Sequence, residues 1–180
     1  MGAIASQSLR NTSSTQHAQR AIEGRLLALG RAHDLLLQAR WSSADLRKIV
    51  RSAVEPFDNA DVAKFSIEGS DVQIASGAVI AIAMTLNELC TNTTKFGALS
   101  IPGGRVAITW VVDEAKRLQF SWKEQGGPTV HAPTRQSFGT RLVETLGRQL
   151  KGHVRLAYEP SGLVYALDVP LASLELSTVG

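Results

Sequence analysis

The stretch at residues 87–99 reads Asn-Glu-Leu-Cys-Thr-Asn-Thr-Thr-Lys-Phe-Gly-Ala-Leu and ends a long apolar segment that begins near Ala75. If it is a helix, Glu88, Asn92 and Lys95 are spaced i, i+4, i+7 and fall on one stripe of its surface. Carboxylate and carboxamide oxygens suit Mg²⁺, and a lysine ammonium suits phosphate. The stripe therefore predicts a site for a metal and a nucleotide, although a solvated face of an amphipathic helix has the same pattern.

The composition is that of an ordinary globular protein. The chain has 180 residues, a net charge of +3 and 44% hydrophobic residues, which allows one sizeable domain with a small helical appendage. Lys and Arg are spread without a basic block, so we expect no nucleic-acid partner. No apolar run approaches the ~18 residues of a membrane-spanning helix, so no membrane segment is expected. The single cysteine, Cys90, excludes an intramolecular disulfide and suits a cytoplasmic location.

Residues 14–40 are predicted to form one long helix whose apolar positions make the seam of a coiled coil or helix bundle. The seam positions are Ile22, Leu26, Leu29, His33 and Leu36. A short helix at 3–9 and a turn at 11–14 would complete a helical hairpin. A homodimer would bury the seam in a four-helix bundle; the alternative is that the seam packs on the chain's own domain. His33 is expected to be a packed core histidine.

The rest of the chain indicates alternating helices and strands. Residues 41–45 are predicted to be a linker with a helix cap at Ser42 or Ser43, followed by a helix to about Val54. Strands are predicted at 62–67, 71–74, 105–112, 117–124, 153–158 and 163–169, and helices at 76–98 and 138–150. Helices on one face of a mixed, largely antiparallel sheet make an α+β two-layer sandwich.

One acidic residue continues the inward face of a predicted strand. The apolar inward positions before it are Leu118, Phe120 and Trp122. A carboxylate at the next inward position, Glu124, is costly unless it is paired or faces a cleft; the other interpretation is a strand end that emerges into water. Gly126 and Gly127 follow one residue later and permit close approach of the backbone to a flat base.

The segment Ser-Phe-Gly-Thr at 137–140 lies where the later helix is predicted to begin. Free N–H groups and the positive end of the helix dipole bind anions there, and Gly139 lets the backbone approach a phosphate. A glycine at this position is also an ordinary cap. Arg135 and Arg141 flank this segment and are candidates for a phosphate contact or plain surface residues.

Several segments, in the right order, resemble the HWE family of sensor histidine kinases, and more broadly the Bergerat-fold ATPases. Residues 87–100 resemble the family's N box, and Trp-Lys-Glu-Gln-Gly-Gly-Pro at 122–128 resembles its Trp-x-Glu-x-Gly-Gly-Pro segment. Residues 137–142 resemble the Gly-Phe-Gly turn before the next helix. Residues 23–26 and 32–36 resemble the second dimerisation helix. Two positions depart from the family pattern, Asn87 in place of His and Ser137 in place of Gly.

The resemblance implies a Bergerat ATP-binding fold and a role for each matching residue. Asn92 resembles the Mg²⁺ ligand, Glu88 the acid that orients or deprotonates the incoming nucleophile, and Glu124 the acceptor of the adenine amino group. The implied ATP contacts are Asn92, Lys95, Glu124, Gly126, Gly127, Phe138, Gly139 and Thr140. The loop from 128 to 136 would be the ATP lid.

The resemblance also implies an organisation and partners. Residues 1–40 would be part of the dimerisation helices, 41–172 the catalytic domain, and 173–180 a flexible tail. The γ-phosphoryl group of Mg-ATP would pass to a histidine and then to an aspartate on a response-regulator receiver domain.

The phosphoacceptor histidine is not apparent. The family carries it in a His-Arg-x-x-Asn segment, which matches none of His17, His33, His131 and His153. Residues 3–9 resemble the stretch just downstream of that segment in the family, so we expect the chain to begin after it. A degenerate, non-catalytic dimer that docks a response regulator is therefore an open alternative. A Ser/Thr kinase of the anti-sigma type shares the fold, but the segment at 122–124 and the helical seam argue against it.

Overall fold

The computed structural model describes residues 2–40, 42–58 and 62–175, with side chains from residue 14 onward. The helices are α1 (Gly2–Gln38), α2 (Leu46–Val54), α3 (Ser76–Lys95) and α4 (Phe138–Gln149). The strands are β1 (Ser43–Asp45), β2 (Phe65–Gly69), β3 (Gln73–Ala75), β4 (Arg105–Val112), β5 (Arg117–Gln125), β6 (His153–Glu159) and β7 (Gly162–Pro170). Short 3₁₀ turns lie at Glu55–Phe57, Ala98–Ser100 and Leu171–Ser173.

The main sheet has five strands in the order β2-β4-β5-β7-β6. β2 runs parallel to β4, and the other neighbours are antiparallel. The period-two pattern of β4 and β5 places Trp110 and Trp122 on the buried face, with 1% and 0% of their surface exposed. One continuous core joins this face to the helices, so the predicted α+β two-layer sandwich is confirmed.

The N-terminal helix differs from the prediction. α1 is continuous over Gly2–Gln38, so the predicted turn at 11–14 and the helical hairpin are wrong. Asn, Thr and Ser each lower helix propensity by less than ~0.7 kcal/mol. Without Gly or Pro in the segment, extending a helix that already exists on both sides costs less than starting a second one.

The face of α1 that docks on the domain is also displaced from the predicted seam. Its buried residues are Ala28, Ala32 and Leu36, and α1 packs mainly against α3. Ile22, Leu26 and Leu29 remain 56%, 62% and 40% exposed. The seam therefore packs on the chain's own domain only at Leu36.

His33 is exposed, and the prediction that it is a core residue is wrong. It comes directly after Ala32, and one residue is about 100° of rotation around a helix, which turns His33 away from the docked face.

The predicted linker before α2 is partly a strand. β1 pairs antiparallel with β3 in a two-stranded sheet, and Trp41 lies outside the described residues. The N-cap of α2 is Asp45, whose Oδ1 accepts a hydrogen bond from Lys48 N at 3.2 Å, rather than Ser42 or Ser43. The helix begins only at Leu46, so the residue directly before it, Asp45, is the N-cap, and the serines lie too far upstream to reach the free N–H groups of the first turn.

The predicted tail is ordered at its start. Leu174 is fully buried, and its carbonyl oxygen accepts a hydrogen bond from Ala75 N at 2.6 Å. Residues 173–174 therefore pack on the domain, and 176–180 lie outside the described residues. No helix in the described part of the chain is long and apolar enough to cross a membrane.

Candidate functional site

A cavity of about 360 Å³ opens between the C-terminal end of α3, the end of β5, the loop after β5 and the start of α4. Its walls are Leu89, Asn92, Phe96, Gly97, Glu124, Thr129, Val130, His131, Pro133, Arg135, Ser137, Thr140, Val143, Leu156, Tyr158 and Leu163. The volume falls within the range of small-molecule sites, about 300–1,000 Å³. Most of the wall is apolar, and a few polar groups converge on it.

The predicted stripe on α3 is only partly assembled at this cavity. Asn92 is half-buried and lines it, while Glu88 is 4% exposed one turn earlier. Lys95 is exposed at the end of α3 and does not line the cavity. Phe96, which sequence reasoning did not single out, is 75% exposed and forms part of the wall.

Glu124 is the polar centre of the site. It is 3% exposed and lines the cavity, as its inward position on β5 predicts. Its Oε1 accepts hydrogen bonds from Thr93 Oγ1 at 2.6 Å and from Ala98 N at 2.9 Å. Its Oε2 accepts one from Trp122 Nε1 at 3.3 Å. A carboxylate has about four acceptor positions, so these three donors leave room for one more.

Close packing around Glu124 requires glycine. A Cβ on Gly97 would lie 2.0 Å from Glu124 Oε1, and a Cβ on Gly162 would lie 2.0 Å from the Glu124 carbonyl oxygen. Gly126 has φ +71°, and a Cβ on Gly127 would meet Ala98 Cα at 2.4 Å. Gly126 and Gly127 do not line the cavity; Gly127 packs against Ala98 in the turn at Ala98–Ser100, and Gly126 packs against the backbone of Gly103.

The start of α4 contributes three of the predicted residues in different ways. Thr140 lines the cavity, and its backbone N donates to the Ser137 side chain, the N-cap, at 3.1 Å. Gly139 is buried, and a Cβ there would lie 2.7 Å from Glu88 Oε2. Phe138 is 62% exposed and lies outside the cavity wall. Of the two flanking arginines, Arg135 lines the cavity and Arg141 does not.

An ion pair that sequence reasoning did not predict covers Glu88. Arg25 on α1 donates from Nε to Glu88 Oε1 at 2.7 Å and from Nη2 to Oε2 at 3.2 Å. The guanidinium carbon of Arg25 also lies 4.8 Å from the centre of the Phe138 ring. Arg25 occurs in the segment at 23–26 that resembles a dimerisation helix, but nothing in the sequence indicated its partner.

The Cys90 side chain does not line the cavity. Burial raises the pKa of the Cys90 thiol well above its usual range, so this buried side chain on α3 is no nucleophile. Residues 2–40, 42–58 and 62–175 contain no cluster of three or more His, Cys, Asp or Glu side chains that could hold a metal ion. A cation at the cavity would therefore depend on one carboxamide and on a bound phosphate, as Mg²⁺ often does.

Comparison with known proteins identifies related chains. The HWE histidine kinase family model matches residues 1–71. A blue-light-activated histidine kinase of Brucella ovis is 34% identical over 172 residues, which is 93% of this chain and 35% of the relative. A protein of the same description from Brucella anthropi is 33% identical over 174 residues, which is 94% of this chain and 35% of that relative. The chain thus spans about a third of the length of the curated relatives that it matches.

Solved structures with the same fold are also histidine kinases. The histidine kinase domain of the blue-light activated histidine kinase EL346 from Erythrobacter litoralis has a TM-score of 0.67 at 17% identity, covering 83% of this chain and 74% of that one. A mycobacterial sensor histidine kinase, MprB, has a TM-score of 0.55 at 15% identity, covering 71% of this chain and 97% of that one. At these identities the likeness establishes the fold alone.

Proposed function

We propose that this chain, which belongs to the HWE histidine kinase family, is an ATP-binding catalytic region that transfers the γ-phosphoryl group of Mg-ATP to a histidine. The observation that carries the proposal is the buried Glu124 carboxylate, which lines an apolar cavity with one acceptor position still open. In this organisation, residues 1–40 are part of the dimerisation helices, and 41–172 form the catalytic domain.

The adenine would bind where Glu124 meets the apolar wall. The Oε1 atom is enclosed by Thr93, Ala98 and Gly97, so we infer that Oε2 accepts the hydrogen bond from the adenine amino group. Apolar side chains such as Leu89, Leu156 and Leu163 would pack against the base. Gly126 and Gly127 support this end of the site indirectly, by fixing the end of β5.

The phosphates would lie towards the start of α4. Thr140 and Arg135 line the cavity there, and the N-terminus of α4 favours negative charge. Asn92 would supply the protein ligand of Mg²⁺, and bound Mg²⁺ supplies charge neutralisation on the phosphate oxygens. Gly139 would allow the backbone at the start of α4 to approach the phosphates closely. Lys95 and Phe138, which are both exposed, would border the phosphates from outside the cavity wall.

Glu88 would act on the incoming nucleophile. A carboxylate in hydrogen-bond reach of an imidazole can orient the ring and accept its proton as the phosphoryl group arrives. The phosphoacceptor histidine would come from another segment or another polypeptide, and the phosphoryl group would pass onward to an aspartate of a receiver domain. The exposed stripe of Ile22, Leu26 and Leu29 is where we propose that a second copy packs to form a homodimer.

The test is phosphoryl transfer from γ-labelled ATP to a separate helix pair that carries a histidine-kinase phosphoacceptor. Glu88→Gln should lower the transfer rate by about 10²–10⁴-fold, the usual range for loss of a general base, and leave ATP affinity within about twofold. The matched control is Glu114→Gln, which removes an exposed carboxylate between β4 and β5. Equal transfer by Glu88→Gln and the wild type would contradict the role of Glu88.

A non-catalytic dimer that docks a response regulator is the second candidate. Burial of Glu88 under Arg25 favours it, together with the departures at Asn87 and Ser137. In this case the wild-type chain would bind a receiver domain but transfer no phosphoryl group to any acceptor, with or without Mg²⁺.

A further inference from the structure

One side chain of α1 reaches across the fold to the acid that we propose for catalysis. Arg25 and Glu88 are separated by 63 positions in the chain, and two parallel hydrogen bonds join them, at 2.7 Å and 3.2 Å. Both carboxylate oxygens are engaged, which is the strong, fork-like arrangement of arginine and carboxylate. The Glu88 side chain is only 5% exposed, while that of Arg25 is 25% exposed.

The start of α4 completes the enclosure of Glu88. The Phe138 ring lies under the Arg25 guanidinium, 4.8 Å from its central carbon, which is within the range of a cation–π contact. The backbone of Gly139 lies so close to Glu88 Oε2 that a Cβ would approach it to 2.7 Å. Glu88 is therefore surrounded by α1, α3 and α4, and an incoming imidazole has no free path to its oxygens.

We propose that Arg25 is a latch on Glu88: while α1 is docked, the carboxylate is withheld from the nucleophile, and it is released when α1 moves away from α4. The inference rests on the role proposed above for Glu88. In it, Arg25 does not touch the substrate and acts only through Glu88. In the closed state Glu88 is covered by α1 of the same chain, so the latch needs no second protein to close.

The chemistry of the contact favours a latch over a purely structural pair. A buried ion pair adds little net stability, because desolvation of both charges offsets most of their attraction. The docking face next to Arg25 is formed by small side chains, Ala28 and Ala32, which bury little surface, and the larger Leu36 is buried further along α1. The part of α1 around Arg25 can therefore move away from Glu88 while Leu36 keeps the later part of the helix anchored in the core.

Carboxyl footprinting tests the latch without any catalytic readout. A water-soluble carbodiimide with glycine ethyl ester labels exposed carboxylates, and mass spectrometry measures the labelling rate at Glu88. We expect Arg25→Gln to raise that rate by about tenfold or more, and Arg25→Lys, which keeps the charge but loses the fork, to raise it less. The control is Arg20→Gln on the exposed side of the same helix, which should leave the rate unchanged. Glu124, 3% exposed, reports in each variant whether the fold is intact.

The outcomes separate clearly. A Glu88 labelling rate within twofold of the wild type in a folded Arg25→Gln protein overturns the latch. If Arg25→Gln unfolds, Arg25→Lys decides in the same way; unfolding of both variants also overturns it, because the pair would then hold the fold together.

A second readout distinguishes release from positioning. With a separate helix pair as phosphoacceptor, Arg25→Gln should raise the transfer rate several-fold at unchanged ATP affinity. A rise in labelling accompanied by a fall in transfer overturns the latch, because Arg25 would then hold Glu88 in its working position. If transfer is absent from every variant, the proposed function fails, while the labelling result still decides whether α1 closes over Glu88.

Discussion

Replacing Glu124 with glutamine changes one atom of the proposed base-binding group and makes a selective prediction. The Ala98 N–H is a backbone donor fixed 2.9 Å from Glu124 Oε1. In Glu124→Gln the amide oxygen must therefore take the Oε1 position, and the NH₂ group takes the position of Oε2. There it meets a second fixed donor, Trp122 Nε1, at 3.3 Å. The group presented to the nucleobase changes from an acceptor to a donor.

The size of the effect can be worked out from the lost contact. A hydrogen bond to an ionised acceptor contributes about 1.5–3 kcal/mol, so ATP should bind about 10- to 150-fold more weakly to Glu124→Gln. A base with a carbonyl oxygen at the 6-position, as in ITP, should lose less or gain, since that oxygen accepts from the new NH₂ group. The ratio of ATP to ITP affinity should therefore fall, by about 10- to 150-fold where ITP binding is unchanged.

Competition against a fluorescent nucleotide measures both affinities on the wild type, on Glu124→Gln and on the surface control Glu114→Gln. The melting temperature must be recorded as well, because the variant also weakens the internal hydrogen bonds of Glu124. A loss of about 1–3 kcal/mol corresponds to a drop of roughly 2–12 °C for a chain of this size. An unchanged ratio of ATP to ITP affinity in a folded Glu124→Gln protein would refute the assignment of Glu124 to the base.

Three further predictions concern stability and reactivity. Gly162→Ala should destabilise the protein by more than ~2 kcal/mol in urea unfolding, because Gly162 has φ +153° and an added Cβ would meet the Glu124 carbonyl oxygen. The control, Gly24→Ala, has open space around it and should be neutral or stabilising. Equal changes in the free energy of unfolding for the two variants would contradict this prediction. The Cys90 thiol should resist a disulfide reagent in the native state and react on unfolding, because burial raises its pKa; fast native reaction would show that it is accessible. Hydrogen bonding to the Arg117 backbone N–H lowers the pKa of Asp113 from 3.8, so its contribution to stability is present above about pH 4 and is lost as pH falls through the lower folded value. In an acid titration of unfolding, Asp113→Asn should remove that part of the pH dependence, and an unchanged profile would contradict it.

The central sheet could be predicted because its signal is local. In β4 and β5 each buried side chain alternates with a more exposed one, so the period of two identifies the strands and their inward faces together. The same pattern places Glu124 on the buried face before any contact is known. The N-cap of α2 has an equally local signal, because Asp45 is a capping residue directly before an apolar run. The prediction of Ser42 or Ser43 as the cap overlooks this residue.

The parts of the site that could not be predicted depend on distant contacts. The Thr93 hydroxyl meets Glu124 across 31 positions in the chain, and Arg25 meets Glu88 across 63. Separations of this length leave no helical or strand pattern in the sequence. Only the packing of α3 on β5 and of α1 on α3 brings these groups together. The face by which α1 docks could not be predicted for a related reason. The apolar seam and the stripe of small residues lie side by side on one helix, and the neighbouring elements decide which of the two is buried.

The most direct test of Mg-ATP binding is calorimetry on the wild-type chain, on Asn92→Ala and on the control Gln149→Ala, which removes an exposed carboxamide at the end of α4. We predict micromolar binding that requires Mg²⁺, weakened by about tenfold or more in Asn92→Ala and unchanged in Gln149→Ala. A folded wild-type chain that takes up no nucleotide with Mg²⁺ present, or an Asn92→Ala protein that binds Mg-ATP as tightly as the wild type, would contradict the proposed site.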